Sequence, residues 1–396
     1  MPRFDIITVG GGLAGSAIAK VMAERGAKVL VLEQELQFRD RIRGEFLASW
    51  GVAEARELGL LETFRTAGAC EVPWVDFGMG APRDLAATTQ QRLPALTYSH
   101  PQMQEALIDA AHKAGAEVRR GVRVQGIELG AHPAVECKGN GSVERITGRL
   151  VVAADGRNSA ARKWAGFKSQ RDEHPFFFAG VLLSDVPARE DLSWMIFNPN
   201  FGTAALVIPQ GKGRFRSYLG YPTSSEYRIQ GKEKLALYLA ESVKAAPILV
   251  ELYAKANDCG PLASFDASDS WIDHPYKDAV ALIGDAAATS DPTFGQGMSL
   301  TLRDVRVLRD QLFGDGDWDR AGHRYAQQHE IYFANCHNVC GWFRHIFQEQ
   351  TPAAAVQRQK AMPLIAQDPT RIPDHLHSGP DLPVDETVRL RFFGEC

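Results

Sequence analysis

The chain has 396 residues, of which 45% are hydrophobic and 23% are charged, as is typical of a globular protein with room for two interleaved domains. Its formal net charge of −4 gives no clustered positive face, so we do not expect nucleic acid as a partner. No apolar run approaches the ~20 residues that span a bilayer, and no signal-peptide pattern precedes the first strand, so we expect a cytoplasmic protein without a membrane span.

The first predicted unit, residues 5–33, is a strand, a glycine turn, a helix and a second strand. The turn carries Gly10, Gly12 and Gly15 in the spacing GxGxxG. Gly10 permits the tight turn, Gly12 lets a pyrophosphate approach the backbone, and Gly15 lets the helix pack closely on the sheet. The helix N-terminus attracts phosphate groups. Glu33 ends the second strand, where its carboxylate can accept hydrogen bonds from ribose hydroxyls, so the unit predicts a site for FAD or NAD.

Hydrophobic periodicity predicts the elements that follow. The first set comprises an amphipathic segment over 44–60, a helix over 103–115, and strands over 72–79, 92–98, 117–124, 135–137 and 146–152. From Phe176 onward, short strands closed by proline, glycine and asparagine indicate an antiparallel sheet. The last set comprises a helix over 232–253, a strand over 279–284, helices from 297 and over 318–347, and a loop-rich, proline-containing tail from 351.

The six cysteines are scattered and suggest no disulfide framework. Cys336 and Cys340 lie near His337 and His345, but the surrounding stretch is rich in aromatic residues. This composition favours a packed helix face over a metal site, so we expect no metal.

Two further motifs follow the ends of predicted strands. The second motif contains Asp155, Gly156, Ser159 and Arg162, and the third contains Gly284, Asp285, Pro292, Gly295, Gln296 and Gly297. At the third motif, Asp285 can accept a ribitol hydroxyl, and the helix start at Gly297 offers backbone N–H groups to an anionic ring edge.

With these three motifs in order, residues 4–315 resemble the class A flavoprotein monooxygenases of the p-hydroxybenzoate hydroxylase fold. The resemblance implies FAD as cofactor, NADPH or NADH as reductant, and O2 and a small organic substrate as partners. It implies an NAD(P)H-dependent monooxygenase that hydroxylates an aromatic or other activated organic substrate through a flavin C4a-hydroperoxide. Where the family usually has an arginine, this chain has His100, and we assign a cofactor contact to Gln102 nearby.

The motifs and the resemblance together assign the site. The predicted cofactor contacts are Gly10, Gly12, Leu13, Ala14, Gly15, Glu33, Gln34, Arg43, Gln102, Val124, Asp155, Gly156, Arg162, Gly284, Asp285, Pro292, Gly295, Gln296, Gly297 and Met298. The predicted catalytic residues are Arg43, Glu45 and Pro292, because the Arg-Gly-Glu stretch resembles the segment beside the flavin in this family. The candidate substrate walls are Trp74, Phe77, Trp194, Phe197, Tyr218 and Phe294.

The antiparallel block interrupts the nucleotide-binding sequence. We therefore predict an α/β fold in which a Rossmann-like FAD-binding domain is interleaved with an antiparallel-sheet substrate domain, followed by a C-terminal helix and tail. The predicted ranges are 1–70, 99–170 and 272–315 for the FAD-binding domain, 71–98 and 171–271 for the substrate domain, and 316–396 for the C-terminal part.

Three alternatives stay open at this point. A flavin-dependent halogenase of related fold would need a lysine near the flavin and, in the tryptophan-type enzymes, a WxWxIP stretch, and neither is evident. A flavin-dependent reductase would use the same FAD frame without oxygen. A non-catalytic FAD-binding protein would hold the cofactor without substrate-stimulated oxidation of a pyridine nucleotide. Whether the protein is a monomer or a homodimer also stays open.

Overall fold

The computed structural model of the chain describes residues 3–42, 44–139, 141–172, 176–225 and 228–396. The strands of the first half are β1 Phe4–Val9, β2 Val29–Glu33, β3 Phe46–Leu47, β4 Cys70–Val72, β5 Trp74–Asp76, β6 Arg83–Asp84, β7 Ala95–Thr97, β8 Glu117–Arg120, β9 Arg123–Glu128, β10 Ala134–Gly139 and β11 Ser142–Ala153. The later strands are β12 Gln170–Arg171, β13 Phe176–Ser184, β14 Leu192–Asn198, β15 Thr203–Pro209, β16 Phe215–Pro222, β17 Asn257–Asp258, β18 Ala263–Asp266, β19 Ser270–Trp271, β20 Tyr276–Lys277, β21 Val280–Leu282 and β22 Ala288–Thr289.

The helices surround these strands. They are α1 Leu13–Ala23, α2 Ser49–Glu57, α3 Leu61–Thr66, α4 Leu85–Thr88, α5 His100–Lys113, α6 Ala161–Trp164, α7 Leu235–Ala245, α8 Leu249–Tyr253, α9 Gly297–Gly314, α10 Trp318–Phe347, α11 Pro352–Gln367, α12 His375–Ser378 and α13 Glu386–Phe393. Short 3-10 turns cover Lys232–Lys234, Gly284–Ala286, Pro292–Phe294 and Pro369–Arg371. In the part of the chain that the structure describes, no helix is long and apolar enough to cross a membrane.

The first sheet has the strand order β20-β21-β11-β1-β2-β8, and its strands run parallel from β21 to β8. The central strands β1 and β2 are almost wholly buried, because both faces of the sheet are covered. Helices α1, α5 and α9 pack together on one face, while the β9-β10 extension and α6 share a core with the other face. The GxGxxG turn leaves β1 at its carboxyl end, in the middle of this sheet.

The second sheet has the order β17-β13-β16-β15-β14-β5-β6, and β13 to β16 pair in antiparallel fashion. Because side chains alternate along a strand, Met195 and Leu206 face the first sheet's core, whereas Trp194 and Val207 face α7 and α8. Strands β5 and β6, from early in the chain, complete this sheet. The two sheets are therefore interleaved in sequence, and the predicted fold class is confirmed, while the exact domain boundaries stay a prediction.

The C-terminal part differs from the sequence prediction in one respect. Helix α10 confirms the long helix predicted over 318–347. The tail after it is not loop-rich but mostly helical. Pro352 and Pro369 occupy first-turn positions, where a missing N–H costs no helical hydrogen bond, whereas Pro363 lies inside α11. The single helix predicted over 232–253 is likewise divided into α7 and α8, with Pro247 between them.

Candidate active site

A cavity of about 730 Å³ extends from the carboxyl ends of the parallel strands to the antiparallel sheet. The predicted site residues that line it are Gly10, Gly12, Leu13, Ala14, Glu33, Gln34, Glu45, Val124, Asp155, Gly156, Asp285, Pro292, Gly295, Gly297 and Met298. Gly15, Gln102, Arg162, Gly284 and Gln296 do not line it. Arg43 lies outside the described residues.

The three glycines of the first motif have different surroundings. Gly10 has a φ of +98°, and a Cβ there would lie 2.5 Å from the carbonyl oxygen of Ala154. A Cβ on Gly15 would lie 1.9 Å from the carbonyl oxygen of Gly10, which confirms the predicted close packing of helix and sheet. At Gly12 the nearest neighbour is the side-chain nitrogen of Gln104 at 3.3 Å, so this glycine opens onto the cavity. Helix α1 has no side-chain cap, and its first N–H groups are left for a ligand.

Glu33 is held in place by the backbone around it. Its Oε2 accepts a hydrogen bond from the backbone N–H of Gly11 at 2.7 Å, and its Oε1 accepts one from Glu35 at 2.8 Å. The side chain is buried at the end of β2 and lines the cavity. The carboxylate is therefore fixed where the sequence predicts a ribose contact.

The second motif places Asp155 between a helix and the cavity. Its Oδ2 accepts hydrogen bonds from the backbone N–H groups of Ala160 and Ala161 at 2.8 and 3.1 Å. Its Oδ1 is buried and has no hydrogen-bond partner among the described residues. Because a buried carboxylate oxygen without a donor is costly, this atom marks a position that a ligand hydroxyl or N–H can fill.

Arg162 does not reach the cavity but joins the second motif to the third. Its Nη2 donates to the carbonyl oxygen of Arg157 and, at 3.4 Å, to that of Asp285. Burial lowers the pKa of this guanidinium. Arg162 therefore connects the second and third motifs from a position outside the cavity lining.

The third motif forms the wall where the two sheets meet. Asp285, Pro292 and Gly295 line the cavity, and α9 begins beside it at Gly297 without a side-chain cap. Gln296 is buried instead: its Oε1 accepts from Trp50 Nε1 at 3.2 Å, while its Nε2 donates to the carbonyl oxygens of Phe294 and Leu376. Its amide is thus occupied by protein contacts.

Gln102, a predicted cofactor contact, lies away from the cavity. Gln102 is exposed on α5, whereas His100 and Gln104 line the cavity. Successive helical residues are about 100° apart, so a shift of two positions turns a side chain to the opposite face. His100 Nδ1 also lies 2.8 Å from the carbonyl oxygen of Gly44, next to Glu45.

Glu45 sits in a buried cluster that spans the two sheets. Its Oε1 accepts from Arg216 Nε at 3.1 Å, and its Oε2 accepts from the hydroxyl of Tyr218. Arg216 Nη2 also donates to Asp40 Oδ2 at 2.6 Å. Burial raises the pKa of Glu45 to about 7, against the opposing effect of the Arg216 charge. Sequence reasoning missed Arg216 and Asp40, because no local pattern joins residues more than 170 positions apart.

The apolar end of the cavity is built from different residues than predicted. Of the six candidate substrate walls, Tyr218 alone lines it. Trp74 and Trp194 pack on the far face of the sheet, Phe197 stacks on Phe294 at 5.9 Å, and Phe77 packs against His377. The apolar lining consists of Phe46, Phe178, Met195, Leu206, Ile208 and Phe265.

Asp172, Asp269 and His337 lie close enough together to hold a metal ion. Arg344 already bridges the two carboxylates, with Nη1 3.0 Å from Asp172 Oδ2 and Nη2 3.2 Å from Asp269 Oδ2. A cation at this point would be repelled by the guanidinium. The group therefore fits an ion-pair network.

Comparison with known proteins identifies the family. A family model described as an FAD binding domain matches residues 3–317. The chain belongs to the class A FAD-dependent monooxygenase family. Among the relatives, 6-methylpretetramide 4-monooxygenase of Streptomyces rimosus is 29% identical over 319 residues, covering 76% of this chain and 73% of that protein.

Squalene monooxygenase of Mus musculus is 29% identical over 329 residues, covering 78% of this chain and 54% of that protein. The chain thus spans about half the length of this relative. A triple-mutant form of the flavin-dependent brominase Bmp2 superposes with a TM-score of 0.78 at 18% identity, covering 98% of this chain and 97% of that one. At this identity the likeness is one of fold alone.

Proposed function

We propose that the chain binds FAD and acts as an NAD(P)H-dependent monooxygenase. Its proposed substrate is an apolar organic compound that is aromatic or activated in another way. The observation that carries the proposal is one continuous cavity with two chemically different ends. Glycine backbone, Glu33 and helix N-termini line one end, and an apolar wall from the antiparallel sheet lines the other. The third motif lies between the two ends.

Three features of the chain support FAD as the cofactor. Gly12 leaves space next to an uncapped helix N-terminus, which suits a pyrophosphate. The fixed carboxylate of Glu33 suits ribose hydroxyls, and the unpartnered Oδ1 of Asp155 suits a donor from the ligand. Asp285 is the candidate for the ribitol hydroxyls. The bound cofactor would supply electron transfer and oxygen activation, which these side chains cannot perform.

The chain's own residues would position and protect the reacting centre. The uncapped start of α9 presents the N–H groups of Gly297 and Met298 to the cavity, where they would stabilise negative charge by about 1 kcal/mol. The apolar wall would exclude water from the substrate side. Glu45, whose pKa is raised to about 7 by burial, can hold or release a proton near neutral pH at the wall between the two sheets.

The reductant is proposed to approach along an arginine-rich rim. Arg39, Arg41, Arg123 and Arg157 line the cavity and retain exposed or half-exposed side chains. Guanidinium groups at a cavity mouth attract phosphates and raise the encounter rate with a nicotinamide dinucleotide. The rim suits both NADH and NADPH.

The decisive experiment measures NADH and NADPH oxidation by the FAD-loaded protein in air, with and without phenols, indoles and polycyclic aromatics. We expect at least one compound to stimulate oxidation and to gain one oxygen atom from labelled O2. Gly12→Val, which fills the proposed pyrophosphate space, serves as the FAD-free control. If FAD binds but no compound stimulates either nucleotide, the monooxygenase proposal fails, and a non-catalytic FAD-binding protein is favoured.

The alternatives predict different products. A reductase would oxidise the nucleotide without adding oxygen to the substrate. A halogenase would need halide and would add a halogen atom. Among the described residues that line the cavity there is no lysine of the kind a halogenase requires, so we favour oxygen transfer.

A further inference from the structure

We infer that His329 and Tyr332 are positioning residues for the cofactor-facing turn at Gly284 and Asp285, and that they act through Asp304. The carboxylate of Asp304 on α9 is 1% exposed. Its Oδ2 accepts a hydrogen bond from the backbone N–H of Gly284 at 2.7 Å. Its Oδ1 accepts from His329 Nδ1 at 2.9 Å and from the Tyr332 hydroxyl at 2.5 Å.

A side-chain hydrogen bond from α9 anchors the start of this turn. Gly284 has a left-handed φ of +60°, and a Cβ there would meet Thr301 Oγ1 at 3.0 Å. Its N–H is directed to the Asp304 carboxylate, so the location of that carboxylate sets the location of the turn. Asp285, the next residue, lines the cavity and is proposed to hold the ribitol chain. A displacement of the Asp304 carboxylate would therefore also shift Asp285 and weaken its proposed contact with the ligand.

The carboxylate in turn depends on donors from α10. A buried carboxylate needs several hydrogen bonds to remain in one position, and hydrogen bonds to an ionised acceptor are the strong ones. Without His329 and Tyr332, the Asp304 carboxylate loses its two side-chain donors from α10, and among the described residues the backbone N–H of Gly284 remains as its donor. Phe333 stacks on the His329 ring at 5.8 Å and holds that ring in orientation.

This support comes from beyond the recognised FAD-binding domain. The family match ends at residue 317, and α10 begins at Trp318. Tyr325 of the same helix donates to the carbonyl oxygen of Leu282 at 2.6 Å, just before the turn. Helix α10 thus contacts both the end of β21, through Tyr325, and the turn of the third motif, through Asp304.

The test measures the dissociation constant of FAD from the apoprotein by quenching of flavin fluorescence, and it rests on the FAD binding proposed above. We expect Tyr332→Phe and His329→Leu each to weaken FAD binding about tenfold, as loss of a hydrogen bond to a buried charge does. His329→Asn, which keeps a donor at the δ position, should restore most of the affinity. Tyr238→Phe, a buried tyrosine on α7 remote from the turn, should change nothing.

Visible circular dichroism of the bound FAD separates positioning from general stability, because it reports the surroundings of the flavin. We expect the spectrum to change in Tyr332→Phe and in His329→Leu, and to stay close to wild type in His329→Asn. Affinities within about twofold of wild type and an unchanged spectrum would overturn the inference, even if the apoprotein melts earlier. Failure of the wild type to hydroxylate any substrate leaves this result intact, whereas failure of the wild type to bind FAD refutes both proposals. If His329→Leu does not fold, the inference is judged from the FAD affinity and the visible spectrum of Tyr332→Phe, with His329→Asn as the conservative comparison.

Discussion

Arg216 links Glu45 and Asp40, two acidic residues that lie between β2 and β3. Its Nε lies 3.1 Å from Glu45 Oε1, and its Nη2 lies 2.6 Å from Asp40 Oδ2. Arg216 belongs to β16 of the antiparallel sheet, whereas the two acidic residues follow β2 of the parallel sheet. One guanidinium therefore connects the antiparallel sheet to the segment that follows β2 of the parallel sheet.

Removal of this guanidinium should be strongly destabilising. Arg216→Met keeps the length of the side chain but leaves two carboxylates without their shared cation, and we expect the free energy of unfolding at about pH 8 to fall by about 3 to 5 kcal/mol. The loss should be smaller at about pH 5, where Glu45 is protonated. Urea unfolding at both pH values measures the difference.

The control variant is Arg189→Met, which breaks an exposed pair with Asp191 and should lower the free energy of unfolding by less than about 1 kcal/mol. An equal loss in both variants would contradict the prediction.

The raised pKa of Glu45 predicts a pH dependence of stability. Burial raises the pKa of Glu45 from its ordinary value of 4.5 to about 7, so the folded protein binds this proton more tightly than the unfolded chain does. The stabilising contribution is therefore full below about pH 4.5 and is lost as the pH rises through about 7, a change on the order of 3 kcal/mol. Glu45→Gln has no titrating carboxyl group at this position, so it removes this pH-dependent contribution to stability.

We expect the unfolding free energy of Glu45→Gln, relative to wild type, to rise between about pH 5 and about pH 8. Unfolding curves at several pH values check this. Parallel pH profiles for the two proteins would show that Glu45 keeps an ordinary pKa. Tyr98→Phe is a suitable control, because it removes a neighbouring buried hydroxyl without changing a carboxylate.

Local patterns in the sequence predict which residues line the glycine-turn end of the cavity. The glycine spacing and Glu33 lie within a single strand–turn–helix–strand unit, and the carboxylate of Glu33 accepts hydrogen bonds from the nearby backbone N–H groups of Gly11 and Glu35. The substrate end depends on register. Trp194 and Met195 are adjacent in sequence, and their side chains point to opposite faces of the antiparallel sheet. Trp194, which the sequence suggests as a wall residue, faces away from the cavity.

Gln296 is a motif residue whose side chain is engaged by distant parts of the chain. Its place between two cavity-lining glycines suggests a ligand contact, but its amide bonds Trp50 and the backbone of the C-terminal segment. That segment folds back over the turn from 80 residues further along the chain. Such long-range partners leave no periodic signal in the sequence.

His377 predicts a sensitivity to acid. It lies on α12 against Phe46 and Phe77, it is 2% exposed, and neither ring nitrogen has a hydrogen-bond partner among the described residues. Burial lowers its pKa to about 4, with a further contribution from the Arg83 charge. The folded state thus favours the neutral ring, so its stability is full above about pH 6.5 and falls as the pH approaches about 4.

We expect His377→Met, of similar volume, to be more resistant to acid unfolding than wild type. The gain should be on the order of 3 kcal/mol at about pH 4 and smaller at neutral pH, where only the unpartnered ring nitrogens are removed. Circular dichroism during an acid titration measures the midpoint. His132→Met, at an exposed position, should leave the midpoint unchanged, and a midpoint for His377→Met equal to wild type would refute the argument.

Gly12 provides the sharpest test of the cofactor end. A side chain at this position meets only the flexible end of Gln104, and the backbone has an ordinary negative φ of −70°, so Gly12→Val should fold. Its methyl groups would occupy the space in front of the uncapped α1 N-terminus, where a pyrophosphate must approach the backbone. We expect FAD binding to weaken by about a hundredfold or more, while the melting temperature of the apoprotein stays close to wild type. Gly314→Ala, at the end of α9 with open space around it, should leave both quantities unchanged. Fluorescence titration with FAD measures the affinity, and near-wild-type binding by Gly12→Val would move the pyrophosphate away from the GxGxxG turn.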